Sequence, residues 1–329
     1  MKFYPLIRKM LFQCNPETAH HITLTALKWA EKIRLTNFLP KKIETPIEIM
    51  GLHFPNRVGL AAGLDKNGEY IDALASLGFG FVEVGTITPR PQLGNPKPRL
   101  FRLEKEKAII NRMGFNNKGV DYLVEQLKKT RYKGILGINI GKNKDTPIEH
   151  AIADYRYSMQ CVLPFASYIT INISSPNTEN LRQLQHGELL KQLLSALKKE
   201  QATFLETHKK YVPLVVKIAP DLTLDELKNI ADIFLHEKID GIIATNTTLS
   251  REEVTSAETG GLSGKPLTAR ATAIIRELHA LIGAHIPIIA CGGISNKKEA
   301  DEKIAAGASL VQLYTGLIYE GPSLVKEAS

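Results

Sequence analysis

The sequence predicts an α/β fold: a (β/α)8 TIM barrel preceded by a small N-terminal extension of two helices. Three observations point there. Eight short apolar segments alternate with helical patterns, which favours a closed parallel barrel over an open doubly wound sheet. The 329 residues are 43% hydrophobic and only 23% charged, enough for one large core. The chain ahead of the first strand has helical periodicity. Residues 1–40 are therefore expected to form an amphipathic hairpin and 41–329 the barrel.

Residues 3–13 read as a short helix with Pro5 in its first turn, placing Leu6, Ile7, Met10 and Leu11 on one face without Arg8 and Lys9. Asn15-Pro16-Glu17 is a helix-start signal of cap, proline and first-turn acid. Ala19, Ile22, Thr23, Ala26, Leu27, Ala30 and Ile33 follow at helical spacing, with Trp29 nearby. Neither helix has the ~20 apolar residues needed to span a bilayer. Charges interrupt every apolar run, so a signal peptide is not expected. Residues 1–42 hold eight Lys/Arg against two acids, whereas 43–329 carry 34 against 32. A basic N-terminal segment on a nearly neutral body suits an anionic membrane surface better than a polynucleotide. The alternative is that the hairpin merely packs on the barrel.

After a Pro/Lys linker near 39–46, a hairpin is expected to turn at Met50-Gly51. Strands follow at 57–62, 81–85, 135–140, 168–173, 213–218, 241–245, 287–291 and 309–314. Helices are expected at Val120–Lys129, Gly187–Glu200, Leu224–His236, Ala269–Leu281 and Lys297–Ala306. Insertions at 87–118 and 250–266 break the rhythm. Cys14, Cys161 and Cys291 are too few and too scattered for a disulfide framework or a zinc site, which implies a reducing compartment. Each reads as a small buried apolar residue.

A barrel works at the carboxyl ends of its strands, so those ends are read together. They offer Ala61-Ala62-Gly63-Leu64-Asp65-Lys66, Gly85-Thr86, Asn139-Ile140-Gly141, Asn172 to Ser175, Lys217, Thr245-Asn246-Thr247-Thr248, Gly292-Gly293 and Tyr314-Thr315-Gly316. Any one amide or hydroxyl there can be a strand cap; eight polar ends in register are harder to obtain from turns alone. Gly292-Gly293 and Thr315-Gly316 have the character of a phosphate site ahead of helices. Lys217 ends an apolar strand and needs an electron-rich partner, which the N1/O2 edge of a flavin supplies. Asn139, Asn172, Thr245 and the Ala61-Ala62-Gly63 turn would line that ring. Lys66, Asn111, Asn116, Asn177, Asn246 and Thr247 suit a small carboxylate with ring amides. Ser175 is a candidate to move a proton. No metal-ligand spacing and no G-x-G-x-x-G after the first strand is found, so neither metal nor a Rossmann nicotinamide site is expected.

Seven blocks carry a family resemblance: Gly59–Lys66 (GLAAGLDK), Val84–Pro91 (VGTITPRP), Asn111–Asn117 (NRMGFNN), Gly137–Asn143 (GINIGKN), Asn172–Thr178 (NISSPNT), Ala244–Thr248 (ATNTT) and Gly260–Gly264 (GGLSG). With them the chain resembles, over essentially its whole length, the class 2, quinone-dependent dihydroorotate dehydrogenases. The resemblance implies a barrel that oxidises dihydroorotate to orotate in pyrimidine synthesis, with FMN bound and ubiquinone or menaquinone as acceptor. It makes Ser175 the catalytic base, with Phe115 and Thr178 shaping a water path for the proton. It assigns FMN to Ala61, Ala62, Gly63, Leu64, Asp65, Thr86, Asn139, Asn172, Lys217, Thr245, Gly264, Gly293, Tyr314 and Thr315. Substrate falls to Lys66, Asn111, Arg112, Met113, Gly114, Phe115, Asn172, Asn177, Asn246 and Thr247. His20, Arg102 and Tyr314 match positions near a quinone tunnel between the N-terminal helices. The related soluble class uses a cysteine base, and none of the three cysteines lies in the Asn172–Thr178 block. A peripheral position on the cytoplasmic face of the cell membrane follows, with neither nucleic acid nor metal as partner. The rivals are a tRNA dihydrouridine synthase, which would need a cysteine acid and a basic body, and a catalytically silent membrane-docked flavoprotein.

Overall fold

The computed structural model describes residues 4–38 and 43–329. Residue 3 of the first expected helix and residues 39–42 of the expected linker lie outside them. Helix α1 spans Tyr4–Leu11 and α2 spans Pro16–Lys32. The start of α2 follows its sequence signal: the Asn15 side chain accepts from the Glu17 N–H at 3.0 Å and Pro16 opens the helix. The expected apolar face of α1 divides. Leu6, Ile7 and Met10 are exposed, Leu11 is half-buried, and Arg8 turns inward to donate to the Tyr319 carbonyl. On α2, Ile22 and Trp29 are exposed, as is Ile33 just after it. No helix among the described residues is long and apolar enough to cross a membrane.

Strands β1 (Ile47–Ile49) and β2 (Leu52–Phe54) form the hairpin at Met50-Gly51, where both turn residues have positive φ, as a two-residue loop requires. The barrel then runs β3 (Val58–Leu60), α3 (Ile71–Ala75), β4 (Phe81–Ile87), β5 (Leu100–Leu103), β6 (Ala108–Asn111), α4 (Val120–Leu127), β7 (Ile135–Ile140), α5 (Ala151–Val162), β8 (Tyr168–Asn172), α6 (Gly187–His208) and β9 (Leu214–Ile218). It continues with α7 (Leu224–His236), β10 (Gly241–Ala244), β11 (Gly261–Gly264), α8 (Thr268–Ile282), β12 (Ile288–Cys291), α9 (Lys297–Ala305), β13 (Leu310–Leu313), α10 (Thr315–Glu320) and α11 (Ser323–Glu327). Eight of these strands close a parallel barrel in the order β3-β4-β7-β8-β9-β10-β12-β13, with Val311 beside Val58 at the closure. These are the eight strands the alternation predicts. α6 runs on past the expected Glu200 to His208.

The inward positions are graded along the barrel axis. At the closed end Phe81, Tyr168, Val215, Ile289 and Leu310 pack with Phe54 from the hairpin, which plugs this end. The large rings fit because Gly59 and Gly137 face them: a Cβ there would stand 2.2 Å from the Phe81 or Tyr168 ring. Two residues further along the strands the inward positions become polar: Glu83, Thr170, Lys217 and Gln312, all buried. Both insertions meet in one antiparallel sheet of order β11-β6-β5 over the barrel mouth, with Gly261 beside Asn111. Cys14 and Cys161 are only half-buried; Cys291 is buried.

Candidate active site

The carboxyl ends of the barrel strands and the β5-β6-β11 sheet enclose a cavity of about 1040 Å3, counted to its open mouth. Its wall brings together Ala61, Ala62, Gly63, Lys66, Thr86, Asn111, Met113, Gly114, Phe115, Asn172, Ser175, Asn177, Lys217, Thr245, Asn246, Thr247, Gly264, Gly293, Tyr314 and Thr315. Five residues named from sequence stand elsewhere. Leu64 faces a second cavity under the N-terminal helices. Asp65 is buried, its carboxylate accepting backbone N–H groups of Asn67, Glu69 and Tyr70; burial raises its pKa against those bonds. Asn139 lies behind Thr86 and Asn172. Arg112 pairs with Glu258 at 2.6 Å and covers the Phe101 ring. Asn116 lines an adjoining cleft that Lys66 also faces, its Oδ1 buried without a partner among the described residues.

The carboxyl end of β8 is held from three directions. Tyr155 donates to the Asn172 carbonyl at 2.7 Å. Arg182 donates to the Ser174 and Thr247 carbonyls and pairs with Asp221, so one guanidinium ties the ends of β8 and β10 together. Asn95 donates to the carbonyls of Arg112 and Asn177, and Asn177 donates to Asn111 Oδ1 at 3.2 Å. Ser175 is 6% exposed, and the only hydrogen bond among the described residues to its Oγ is accepted from the Asn177 N–H at 3.3 Å. Its hydroxyl proton is therefore left free to point into the cavity. Thr178 and Thr247 each bury a hydroxyl that has no partner among the described residues.

Two ammonium groups remain. Lys217 is 6% exposed, and among the described residues its Nζ has neither a hydrogen bond nor an ion pair, an arrangement that calls for a ligand. Lys66 is half-buried. Burial lowers its pKa to about 8; Glu17 and Asp65 oppose the drop and Arg99 adds to it. At the opposite end of the cavity, Gly292 and Gly293 adopt positive φ, and a Cβ on Gly293 would lie 2.4 Å from Thr268 Cα. The helix after β13 starts at once with Thr315, whereas the one after β12 starts only at Lys297, so Gly292-Gly293 opens a loop rather than a helix.

A second, apolar cavity lies between α1, α2 and the barrel. His20, Arg102 and Tyr314 line it together with Leu11, Phe12, Ala19, Leu24, Leu27 and Leu64. Arg102 spans the α1–α2 turn, donating to the carbonyls of Leu11 and Cys14 with its guanidinium 4.5 Å from the Phe12 ring centre. Burial, helped by Lys66 and His21, lowers the His20 pKa to about 4, so its imidazole is neutral near pH 7. Tyr314 lines both cavities and is the wall between them. Ser263, Leu267, Cys291, Ile294 and Gln312 also face the first cavity and were not singled out from sequence. Strand alternation was the available signal for Gln312, two residues before Tyr314 on the same strand face.

A closed parallel barrel with a polar cavity at its strand ends defines a (β/α)8 enzyme of the kind that works on a small ligand at the barrel mouth. Comparison with known proteins narrows the class. The dihydroorotate dehydrogenase family model matches residues 45–329. The dihydroorotate dehydrogenase (quinone) of Cellvibrio japonicus is 56% identical, with 99% of this chain and 97% of the relative covered. That of Acinetobacter baylyi is 57% identical, covering 98% of each. Among solved structures, DHODH of Eimeria tenella in complex with ferulenol superposes with a TM-score of 0.86 at 42% identity, over 95% of this chain and 89% of that one. The chain belongs to the dihydroorotate dehydrogenase family, whose members are flavin-dependent oxidoreductases.

Proposed function

We infer that this enzyme oxidises dihydroorotate to orotate in pyrimidine biosynthesis, with FMN in the polar cavity and a membrane quinone, ubiquinone or menaquinone, in the apolar one. The observation that carries this reading is the pair of cavities sharing Tyr314, one polar at the strand ends and one apolar under the N-terminal helices. Bound FMN supplies hydride acceptance from the substrate and electron delivery to the quinone.

The wall residues fit such a group. The unpartnered Lys217 ammonium matches an electron-rich ring edge, the Gln312 Oε1 is a buried acceptor in need of a donor, and Gly264, Gly293 and Thr315 line the part of the wall that would take a phosphate. Ala61, Ala62, Gly63, Thr86, Asn172 and Thr245 line the space between. Leu64, Asp65 and Asn139 would act by shaping these groups from behind. Lys66 takes the substrate carboxylate, while Asn111, Asn177, Asn246 and Thr247 take its ring amides, supported by Met113, Gly114 and Phe115; Arg112 braces that loop through Glu258. Ser175 Oγ removes a proton from the substrate carbon. A serine is a weak base, so its proton needs an onward path, which the buried Thr178 hydroxyl, without a partner among the described residues, supports.

Residues 1–40 serve as the membrane-facing and quinone-admitting unit, and 41–329 as the catalytic barrel. The exposed Leu6, Ile7, Met10, Ile22, Trp29 and Ile33 beside a basic segment support peripheral attachment to an anionic leaflet on the cytoplasmic face. The testing experiment is an anaerobic titration of the purified protein with dihydroorotate. Bleaching of the flavin absorbance at stoichiometric substrate is expected; a flavin that stays oxidised would remove dihydroorotate as the substrate.

A further inference from the structure

Glu83 is a fully buried carboxylate in the middle of β4, on the strand face that looks into the barrel. Every polar neighbour it has is a donor. Its Oε1 accepts from Asn139 Nδ2 at 2.8 Å, and its Oε2 accepts from Tyr168 OH at 2.8 Å and Gln312 Nε2 at 2.7 Å. An ionised carboxylate, which only accepts, satisfies all three at once; a protonated one could donate only if the Tyr168 hydroxyl turned to accept or one of the two amides turned over.

The consequence reaches the cavity through two amides. With its NH2 on Glu83, Asn139 must turn Oδ1 towards Thr86 Oγ1 at 2.6 Å and Asn172 Nδ2 at 3.2 Å. Asn172 thereby commits its NH2 to Thr86 and Asn139 and turns Oδ1 towards Asn246 and Ser174. Gln312, likewise held by its NH2, is left with an Oε1 that has no partner among the described residues, on a side chain that lines the cavity. A buried acceptor left open is costly unless a ligand donor meets it.

We infer that Glu83 is a positioning residue: its carboxylate sets the donor–acceptor polarity of the cavity wall that receives the flavin, through Asn139 and Gln312. This rests on the flavin reading above. The donor-only environment makes it testable by exchange. In Glu83→Gln, the new carboxamide must aim an NH2 either at Asn139 or at the Tyr168–Gln312 pair, so that donor meets donor and an amide has to turn over. In Glu83→Gln/Asn139→Asp the roles are swapped. A carboxylate at 139 accepts from the carboxamide at 83, from Thr86 and from Asn172, while the carboxamide oxygen accepts from Tyr168 and Gln312. The outward polarity is restored with the same net charge.

The experiment measures the Kd of apo-protein for flavin mononucleotide and the visible spectrum of the bound flavin, beside circular dichroism. Glu83→Gln is expected to weaken binding by about tenfold to a hundredfold and to shift the flavin bands. The double variant is expected to return both to within about threefold of wild type. A single variant that is insoluble beside a soluble, flavin-binding double variant gives the same support. Wild-type-like flavin binding and spectrum in Glu83→Gln would overturn the assignment, as would a double variant no better than the single or equally insoluble. Wild-type apo-protein that takes up no flavin would instead defeat the cofactor reading itself.

Discussion

Lys66 offers a quantitative test of the substrate assignment. Glu17, a carboxylate whose charge reaches it, is occupied by Arg99 at 2.6 Å and Lys97 at 3.0 Å, so the Lys66 ammonium is free for a ligand. With its pKa lowered to about 8, chiefly by burial, the group is charged at neutral pH and loses its proton just above it. If the carboxylate of the bound ligand sits on this ammonium, affinity is nearly flat below pH 8 and falls about tenfold per pH unit above it, with the protonated fraction. Lys66→Met removes a charge-assisted hydrogen bond of ~1.5–3 kcal/mol, or ~10–150-fold in Kd, and abolishes the pH limb. Orotate is the suitable probe because it binds without turnover, and its Kd is read from the perturbed flavin absorption between about pH 6.5 and 9. The same shift acts on folding with the opposite sign from a lysine that gains a partner. The unbound protein is penalised below pH 8 and recovers as pH rises towards the unfolded value of ~10.4. Wild-type orotate affinity in Lys66→Met at pH 7, or a pH limb that survives the substitution, would refute the reasoning.

Ser175→Ala should retain flavin and orotate binding while the rate of flavin reduction falls ~10²–10⁴-fold; near-normal reduction in a stopped-flow trace would remove Ser175 as the base. Met10→Glu combined with Trp29→Glu, both on the exposed apolar surface of the N-terminal helices, should abolish flotation with anionic vesicles and leave flavin reduction unchanged; undiminished flotation would sink the membrane assignment. Burial raises the Glu17 pKa, but hydrogen bonds from Arg99 and Lys97 outweigh it and hold the carboxyl below its usual range. Its stabilisation is thus present above the unfolded value near ~4.3 and lost as pH falls through the folded one. Glu17→Gln should therefore cost ~1.5–3 kcal/mol at pH 7, with the gap in thermal midpoint narrowing in acid; an equal gap at both pH values would count against the pairing.

Much of this architecture was written locally. The strands are legible because parallel strands covered on both faces are near-continuous apolar runs, as at Leu214–Val216 and Gly241–Ala244. Asn15-Pro16-Glu17 announces α2 because the cap needs only neighbours in sequence. The strand-end residues followed, since a parallel barrel brings all carboxyl ends to one rim. Arg8 stands off the face of Leu6, Ile7 and Met10, but that apolar face is left exposed and Arg8 turns inward, because which face of a short amphipathic helix is covered depends on what packs against it, here α10. The sheet built by the two insertions was not legible because their strands pair across some 150 residues, a register no local pattern encodes.

The sequence by itself determined the barrel, its N-terminal helices and the chemistry available at the rim, because strand periodicity and strand-end composition are local properties. Only the tertiary structure decided which of those groups share a cavity, that Asn139 stands behind the wall, that Tyr314 divides two cavities, and that Glu83 faces three donors. These depend on distances between strands far apart in the chain, which packing alone fixes.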